Sequence, residues 1–182
     1  MKLCMFTPVE MDLERGWPGR IDGDQVIQLA AQTLQSFFTG GGDAREHAVY
    51  PVPEVVFRAP VLHPPSVRIF EGTSDFRFAN PAAILNPGAD IPVAGAVPKD
   101  LDAAIIGADG EIGGFTRLVE WTNPEETGEK SRDFALVLGP VVTTVDEGYP
   151  QELTAWAYED WHHALWVASM NTRLYPGDII AW

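Results

Sequence analysis

Two aspartates spaced two residues apart are the first candidates for chemistry. Asp100 and Asp102 begin residues 100–107, a segment that is otherwise almost entirely apolar. Alternate side chains of a β-strand share a face, so the two carboxylates would point the same way, with Cα atoms roughly 6.5 to 7 Å apart. Two such oxygen ligands could hold a hard cation such as Mg²⁺. The alternative is that Asp100 lies in a solvated loop after Pro98 and Lys99.

Glu120 is the third acidic candidate. The alternation of residues 115–122 places Glu120 on the same strand face as Thr116 and Leu118, and Arg117 on the other. Few other charges surround Glu120 in the sequence, and burying an unpaired carboxylate would be costly. Glu120 therefore needs a cation, a partner or water. An ion pair with an arginine on an exposed face of the sheet is the alternative to a metal site.

The acidic balance of the chain limits its partners. Against 12 Lys and Arg stand 26 Asp and Glu, a net charge of -14, which disfavours nucleic acid and anionic membranes. No apolar stretch approaches the eighteen or so residues of a membrane span. The one cysteine, Cys4, excludes an internal disulfide and is typical of a small buried residue in a reducing compartment. We expect a cytoplasmic protein that binds a small molecule and neither nucleic acid nor membrane.

Short segments bounded by glycine and proline predict the elements that position these residues. The chain has 17 glycines and 15 prolines, and many segments between them are rich in β-branched and aromatic residues. We predict strands at residues 2–8, 25–29, 55–57, 67–70, 91–93, 101–106, 115–121, 135–138 and 141–145. Apolar spacing predicts helices at about residues 27–38 and 158–171. A proline-rich connector divides the chain into an N-terminal module, residues 1–64, and a second unit, residues 65–182.

The order of several segments resembles the fumarylacetoacetate hydrolase family. These segments are residues 2–29, 66–68, 78–88, the acidic strand, 114–116, 130–135, 138–140 and 174–180. The resemblance implies a β-rich α+β fold, a mixed β-roll with a small N-terminal module, that is shortened here and forms a homodimer. It also implies enzymes that cleave or rearrange β-diketone and 2-oxo acid substrates around Mg²⁺ or Mn²⁺.

The resemblance assigns roles to particular residues. Asp100, Asp102 and Glu120 match the three metal ligands of the family, each changed in length by one methylene. Lys130 matches the active-site lysine, and Asp133 lies close to it in the sequence. We predict Lys130 and Asp133 as catalytic residues. A salt bridge of Lys130 with Asp133 or its neighbouring glutamate is the alternative.

The parts of the family pattern that activate water are missing. Family hydrolases use a histidine, oriented by a glutamate, just after the segment that matches residues 67–70; residues 71–75 here contain no histidine. The Gly-Thr substrate loop would follow Ile180, and the sequence ends at Trp182. We expect a non-hydrolytic isomerase or ring-forming cyclase on a small β-dicarbonyl or polyketide-like substrate, with no cofactor. Lys130 would stabilise an enolate while Asp102 or Glu120 moves a proton.

Two other functions stay open. If the three acidic residues hold Mg²⁺ or Mn²⁺, the protein is a metal-dependent lyase, decarboxylase or C–C hydrolase. If it has no catalytic activity, its aromatic residues would be the interface anchors of a binding or scaffold subunit.

Overall fold

The regular secondary structure of the described residues is mainly β-strand, and the strands hydrogen-bond into one mixed sheet. The computed structural model describes residues 1–147 and 157–182. The strands of the sheet are β1 (Lys2–Pro8), β2 (Trp17–Asp22), β3 (Gln25–Leu29), β4 (Glu46–Pro51), β5 (Val55–Arg58), β6 (Val67–Phe70), β7 (Phe76–Ala79), β8 (Ile84–Leu85), β9 (Val97–Ile106), β10 (Ile112–Thr122), β11 (Leu136–Leu138), β12 (Val141–Thr144) and β13 (Ile179–Ala181). The same residues contain the helices α1 (Leu34–Thr39) and α2 (Tyr158–Ser169). Neither helix has the length and apolar composition that crossing a membrane requires. The predicted β-rich α+β class is confirmed.

The strands follow one another across the sheet in an order that mixes early and late parts of the chain. That order is β4-β3-β2-β1-β12-β10-β9-β13-β6-β7, with β5 beside β1 and β11 between β10 and β8. Most neighbours are antiparallel, whereas β13 with β6 and β11 with β8 are parallel. Because β1 pairs with β12, strands from before and after residue 64 share the sheet. The division into two modules at that residue stays a prediction.

The two longest strands, β9 and β10, form the hairpin that positions the candidate residues. They pair antiparallel along nearly their whole length. Asp109 and Gly110 adopt positive φ angles of 57° and 81° in the turn between them. Aspartate and glycine are among the residues that accept this backbone conformation most readily.

The faces of this hairpin pack against different apolar clusters. Leu101 and Leu118 belong to a cluster that includes residues of α1. Ala104 and Phe115 point the other way and belong to a cluster that includes residues of α2. We call these sides the α1 face and the α2 face. The buried residues of α2 include Trp161, Ala164, Leu165 and Ala168, the apolar stripe that the sequence predicts.

Two predicted elements are wrong. Residues 91–93 form no strand; Pro92 has no N–H to donate to a sheet and is exposed. The first helix begins at Leu34 and not near residue 27, because β3 continues through Leu29. Thr33 caps that helix by accepting a 3.0 Å hydrogen bond from the Ser36 backbone N–H.

Strand β2 occupies a segment whose Pro18-Gly19 and Asp22-Gly23 pairs are typical of turns. Pro18 and Gly19 are paired with Met5 and Cys4 of β1 rather than forming a bend. A Cβ atom at Gly19 would lie 2.8 Å from the Phe6 ring, so the glycine permits close packing across the strand. Strands β4, β7, β8 and β13 were also missed by the sequence patterns.

Candidate functional site

A cleft opens on the α2 face, where β6, β9, β10 and the end of the chain meet. Its volume is about 580 Å³. Its lining includes Phe70, Asp100, Asp102, Arg117 and Trp182. Clefts of this size are typical of small-molecule sites, where a few polar groups face aromatic or apolar walls.

Asp102 is the buried carboxylate of this cleft. Asp102 is only 6% exposed, whereas Asp100 is an exposed residue. The Asp102 backbone N–H donates to the Trp182 carbonyl and the Trp182 N–H donates to the Asp102 carbonyl, both at 2.9 Å. This pair of bonds fixes the backbone of Asp102 and places the Trp182 residue beside it.

Arg117 brings a positive charge to the same cleft. It lies directly opposite Asp102 in the β9–β10 register, and paired residues of antiparallel strands point to the same face. Side chains in such a pair have Cβ atoms about 4.5 to 5.5 Å apart. The cleft therefore holds one buried carboxylate and one exposed guanidinium on neighbouring strands.

Glu120 lies on the other face of the hairpin. Its partner in β9 is Lys99, and the neighbouring pair Val119 and Asp100 points the opposite way. Asp100 and Asp102 thus share a face, as predicted, but Glu120 does not join them. Glu120 is instead on the α1 face, 3% exposed.

An arginine of β7 binds Glu120. Nη2 of Arg77 lies 2.5 Å from Oε1 and 2.6 Å from Oε2 of Glu120. Nε of Arg77 is 3.4 Å from Oε1 of Glu71, which is also within 4.0 Å of Arg132. Glu120 therefore forms the arginine ion pair that the sequence left as the alternative, although the pair is buried and not on an exposed face.

The three predicted metal ligands do not fit a single ion. The register separates Glu120 from Asp100 and Asp102, and Arg77 contacts both carboxylate oxygens of Glu120. Among residues 1–147 and 157–182, no group of three His, Cys, Asp or Glu side chains could hold a metal ion.

Lys130 and Asp133 lie in and just after an exposed turn, outside the residues that line the cleft. Their side chains form an ion pair of 2.7 Å, and the Lys130 side chain is 78% exposed. The hydrogen bond to Asp133 raises the pKa of Lys130. The structure thus brings the two residues together but away from Asp102.

Sequence reasoning missed Arg77, Arg117 and Phe70. The alternation of residues 115–122 already separates Arg117 from Glu120, so the signal for Arg117 was present. Arg77 lies in β7, which was not predicted, and therefore its direction could not be inferred. Trp182 reaches the cleft through the pairing of β13 with β9, a long-range contact.

Solved structures of three enzymes have the same fold. Maleylpyruvate hydrolase from Sphingobium sp. SYK-6, in complex with manganese(II) ion and pyruvate, is 19% identical with a TM-score of 0.73, covering 100% of this chain and 87% of its own. 2-Keto-3-deoxy-D-arabinonate dehydratase, complexed with magnesium and 2,5-dioxopentanoate, is 14% identical with a TM-score of 0.68, covering 100% and 86%. A probable 2-hydroxyhepta-2,4-diene-1,7-dioate isomerase from Mycobacterium abscessus is 16% identical with a TM-score of 0.66, covering 99% and 84%.

These similarities concern the fold. No protein-family model matches the sequence, and no curated protein sequence matches it significantly. The solved structures belong to the fumarylacetoacetate hydrolase superfamily and include a hydrolase, a dehydratase and the probable isomerase. The chain therefore has the fumarylacetoacetate hydrolase-like fold that its segments resemble.

Proposed function

We propose that this protein is a non-hydrolytic enzyme, an isomerase or ring-forming cyclase, acting on a small β-dicarbonyl or polyketide-like substrate. The observation that supports this is the cleft in which buried Asp102 lies opposite Arg117, with Phe70 and Trp182 among its walls. The expected enolate chemistry needs a carboxylate, a cation and a flat apolar surface in one place.

Asp102 is the proposed proton carrier. Its carboxylate takes a proton from the carbon next to a substrate carbonyl, and Arg117 stabilises the negative charge that develops on the carbonyl oxygen. In an isomerase Asp102 returns the proton to another carbon of the substrate. In a cyclase the enolate carbon attacks a second carbonyl of the same molecule, and Asp102 gives the proton to the alkoxide that forms there. Neither route needs an external oxidant or reductant, and Phe70 and Trp182 orient the planar enolate.

Arg117 replaces Lys130 as the proposed enolate-stabilising residue. Arg117 lines the cleft, whereas Lys130 is 78% exposed and bound to Asp133. The assignment of Lys130 and Asp133 as catalytic residues is therefore the competing proposal. The two assignments predict opposite results for a Lys130→Ala variant.

Deuterium exchange of pyruvate in D₂O tests the proposal. Enolisation replaces the methyl protons by deuterium, which proton NMR follows directly. We expect catalysed exchange by the wild type and a loss of about 10²-fold or more in Asp102→Asn, because a positioned general base contributes about 10² to 10⁴-fold. Asp100→Asn is the matched control, since this exposed aspartate shares the strand face of Asp102. Lys130→Ala should retain the wild-type rate.

Two results would contradict this assignment. Equal exchange by wild type and Asp102→Asn would remove Asp102 as the base. Loss of exchange in Lys130→Ala with full activity in Asp102→Asn would favour the lysine instead. The same assay is run with 2,4-dioxopentanoate, a β-dicarbonyl compound. If the wild type speeds deuterium exchange of neither compound above the uncatalysed rate, enolisation of these compounds is not its reaction.

A metal-dependent lyase, decarboxylase or hydrolase is the second candidate function. It is favoured by the manganese and magnesium in two of the solved structures with this fold. The same NMR assay distinguishes it, because hydrolysis of 2,4-dioxopentanoate gives acetate and pyruvate. Formation of these products only when Mn²⁺ or Mg²⁺ is added would support that candidate. The homodimer stays a prediction, which light scattering of the purified protein would test.

A further inference from the structure

Glu120 is an acidic side chain buried among apolar residues of the α1 face. Leu118 and Leu136, its neighbours in β10 and β11, are both fully buried. A carboxylate in such surroundings requires a positive partner, because an uncompensated buried charge is strongly destabilising. The identity of that partner decides what the carboxylate can bind.

The partner occupies the position between the two carboxylate oxygens. A single atom, Nη2 of Arg77, lies within 2.6 Å of both Oε1 and Oε2. A cation held by both oxygens of a carboxylate would lie in that same place. The guanidinium and a metal ion therefore compete for one position.

Arg77 is held there from a second direction. It is paired with Ile69 in the β6–β7 register, and its side chain is only 16% exposed. Its Nε is 3.4 Å from Oε1 of Glu71, an ion-pair contact that places a second negative charge beside the guanidinium. A divalent cation entering this position would meet a fixed positive charge a few ångströms away, which raises its energy in a partly buried site.

We propose that the guanidinium of Arg77 takes the place of a divalent cation at Glu120, so that Glu120 binds neither Mg²⁺ nor Mn²⁺ in this protein. The positive charge beside Glu120 is thus supplied by a side chain of the protein and not by a bound metal ion. Asp100 and Asp102 lie on the opposite face of the hairpin and do not complete a shell around Glu120. This inference does not depend on the proposed enolisation, because binding and stability measurements test it without a substrate.

Calorimetric titration with Mn²⁺ tests the inference on the wild type and Glu120→Gln. We expect either no saturable binding or the same binding by both proteins. Binding of one Mn²⁺ by the wild type that is lost in Glu120→Gln would overturn it. If Glu120→Gln does not fold, the variant Arg77→Met/Glu120→Leu replaces it, since apolar replacement of a buried ion pair is often neutral.

Thermal unfolding supplies an independent readout. Arg77→Ala should lower Tm by about 10 °C, because it leaves the Glu120 charge buried. Adding Glu120→Gln to that variant should recover part of the loss. Arg20→Ala is the matched control, since Arg20 binds Glu46 at the same 2.6 Å in an exposed pair. If Arg77→Ala lowers Tm no more than Arg20→Ala does, this would count against the proposal that Arg77 takes the place of a cation at Glu120.

Discussion

The buried pair of Arg77 and Glu120 should show a large coupling free energy in a double-mutant cycle. The variants are Arg77→Ala, Glu120→Gln and the two combined. The Glu120 side chain is 4% exposed and that of Arg77 16%, so solvent screens the pair weakly. Two unit charges about 4 Å apart interact by about 4 kcal/mol at an effective dielectric constant of about 20.

The two single variants should differ in cost. Arg77→Ala leaves a buried carboxylate without its guanidinium, which costs about 3 to 5 kcal/mol of unfolding free energy. Glu120→Gln leaves Arg77 with Glu71 at 3.4 Å and with some solvent, so it should cost about 1 to 3 kcal/mol. The double variant has no buried charge to compensate. We expect its cost to fall below the sum by about 2 to 3 kcal/mol.

Urea unfolding followed by tryptophan fluorescence measures these free energies, and an unchanged slope against urea shows that only stability has changed. The pair Arg20 and Glu46 is the matched control, with the same 2.6 Å distance but side chains 28% and 53% exposed. Exposed pairs of this kind typically contribute about 0.2 to 1 kcal/mol. A coupling for Arg77 and Glu120 no larger than that of the control would refute the argument from burial.

Two further predictions concern the core. Burial raises the pKa of the Cys4 thiol from 9.0 to about 12, so only the unfolded state ionises between these values. The unfolding free energy should therefore be unaffected by Cys4 below pH 9 and fall by about 1.4 kcal/mol per pH unit above it. Urea unfolding from pH 8 to 11 should show this fall relative to Cys4→Ala; parallel curves would contradict it. Leu118→Ala, at a fully buried position, should cost about 2 to 5 kcal/mol in the same assay at neutral pH. Val119 is a partly exposed residue on the α2 face, so Val119→Ala should lower the unfolding free energy by less than Leu118→Ala. An equal loss in the two variants would show that the assigned faces are wrong.

The sequence predicted those elements whose apolar pattern and boundary signals agree. The bounds of β1, β3 and β6 match the prediction, as does the buried stripe of α2. Strand β2 was missed because a Pro-Gly pair ordinarily indicates a turn. Its glycine serves packing against Phe6 instead, which no local pattern reveals.

The candidate site was predicted strand by strand and not as a whole. Period-two alternation correctly grouped Asp100 with Asp102, and Thr116 and Leu118 with Glu120. Alternation within one strand does not say which of its faces meets which face of its neighbour, because a shift of one residue reverses the relation. The sequence therefore contained both faces but not the register that sets Glu120 apart from Asp102.

The apolar core enforces that register. Leu101 lies opposite Leu118, and both are almost completely buried on the α1 face. Slipping one strand by a single residue would turn one of these leucines toward the cleft and place charged residues in the core. Each buried leucine contributes about 1.5 to 3 kcal/mol through its burial, and a charge moved into the core adds a further penalty. Packing thus keeps the carboxylates apart: Arg77 neutralises Glu120 on one face, and Asp102 remains the buried carboxylate that faces the cleft.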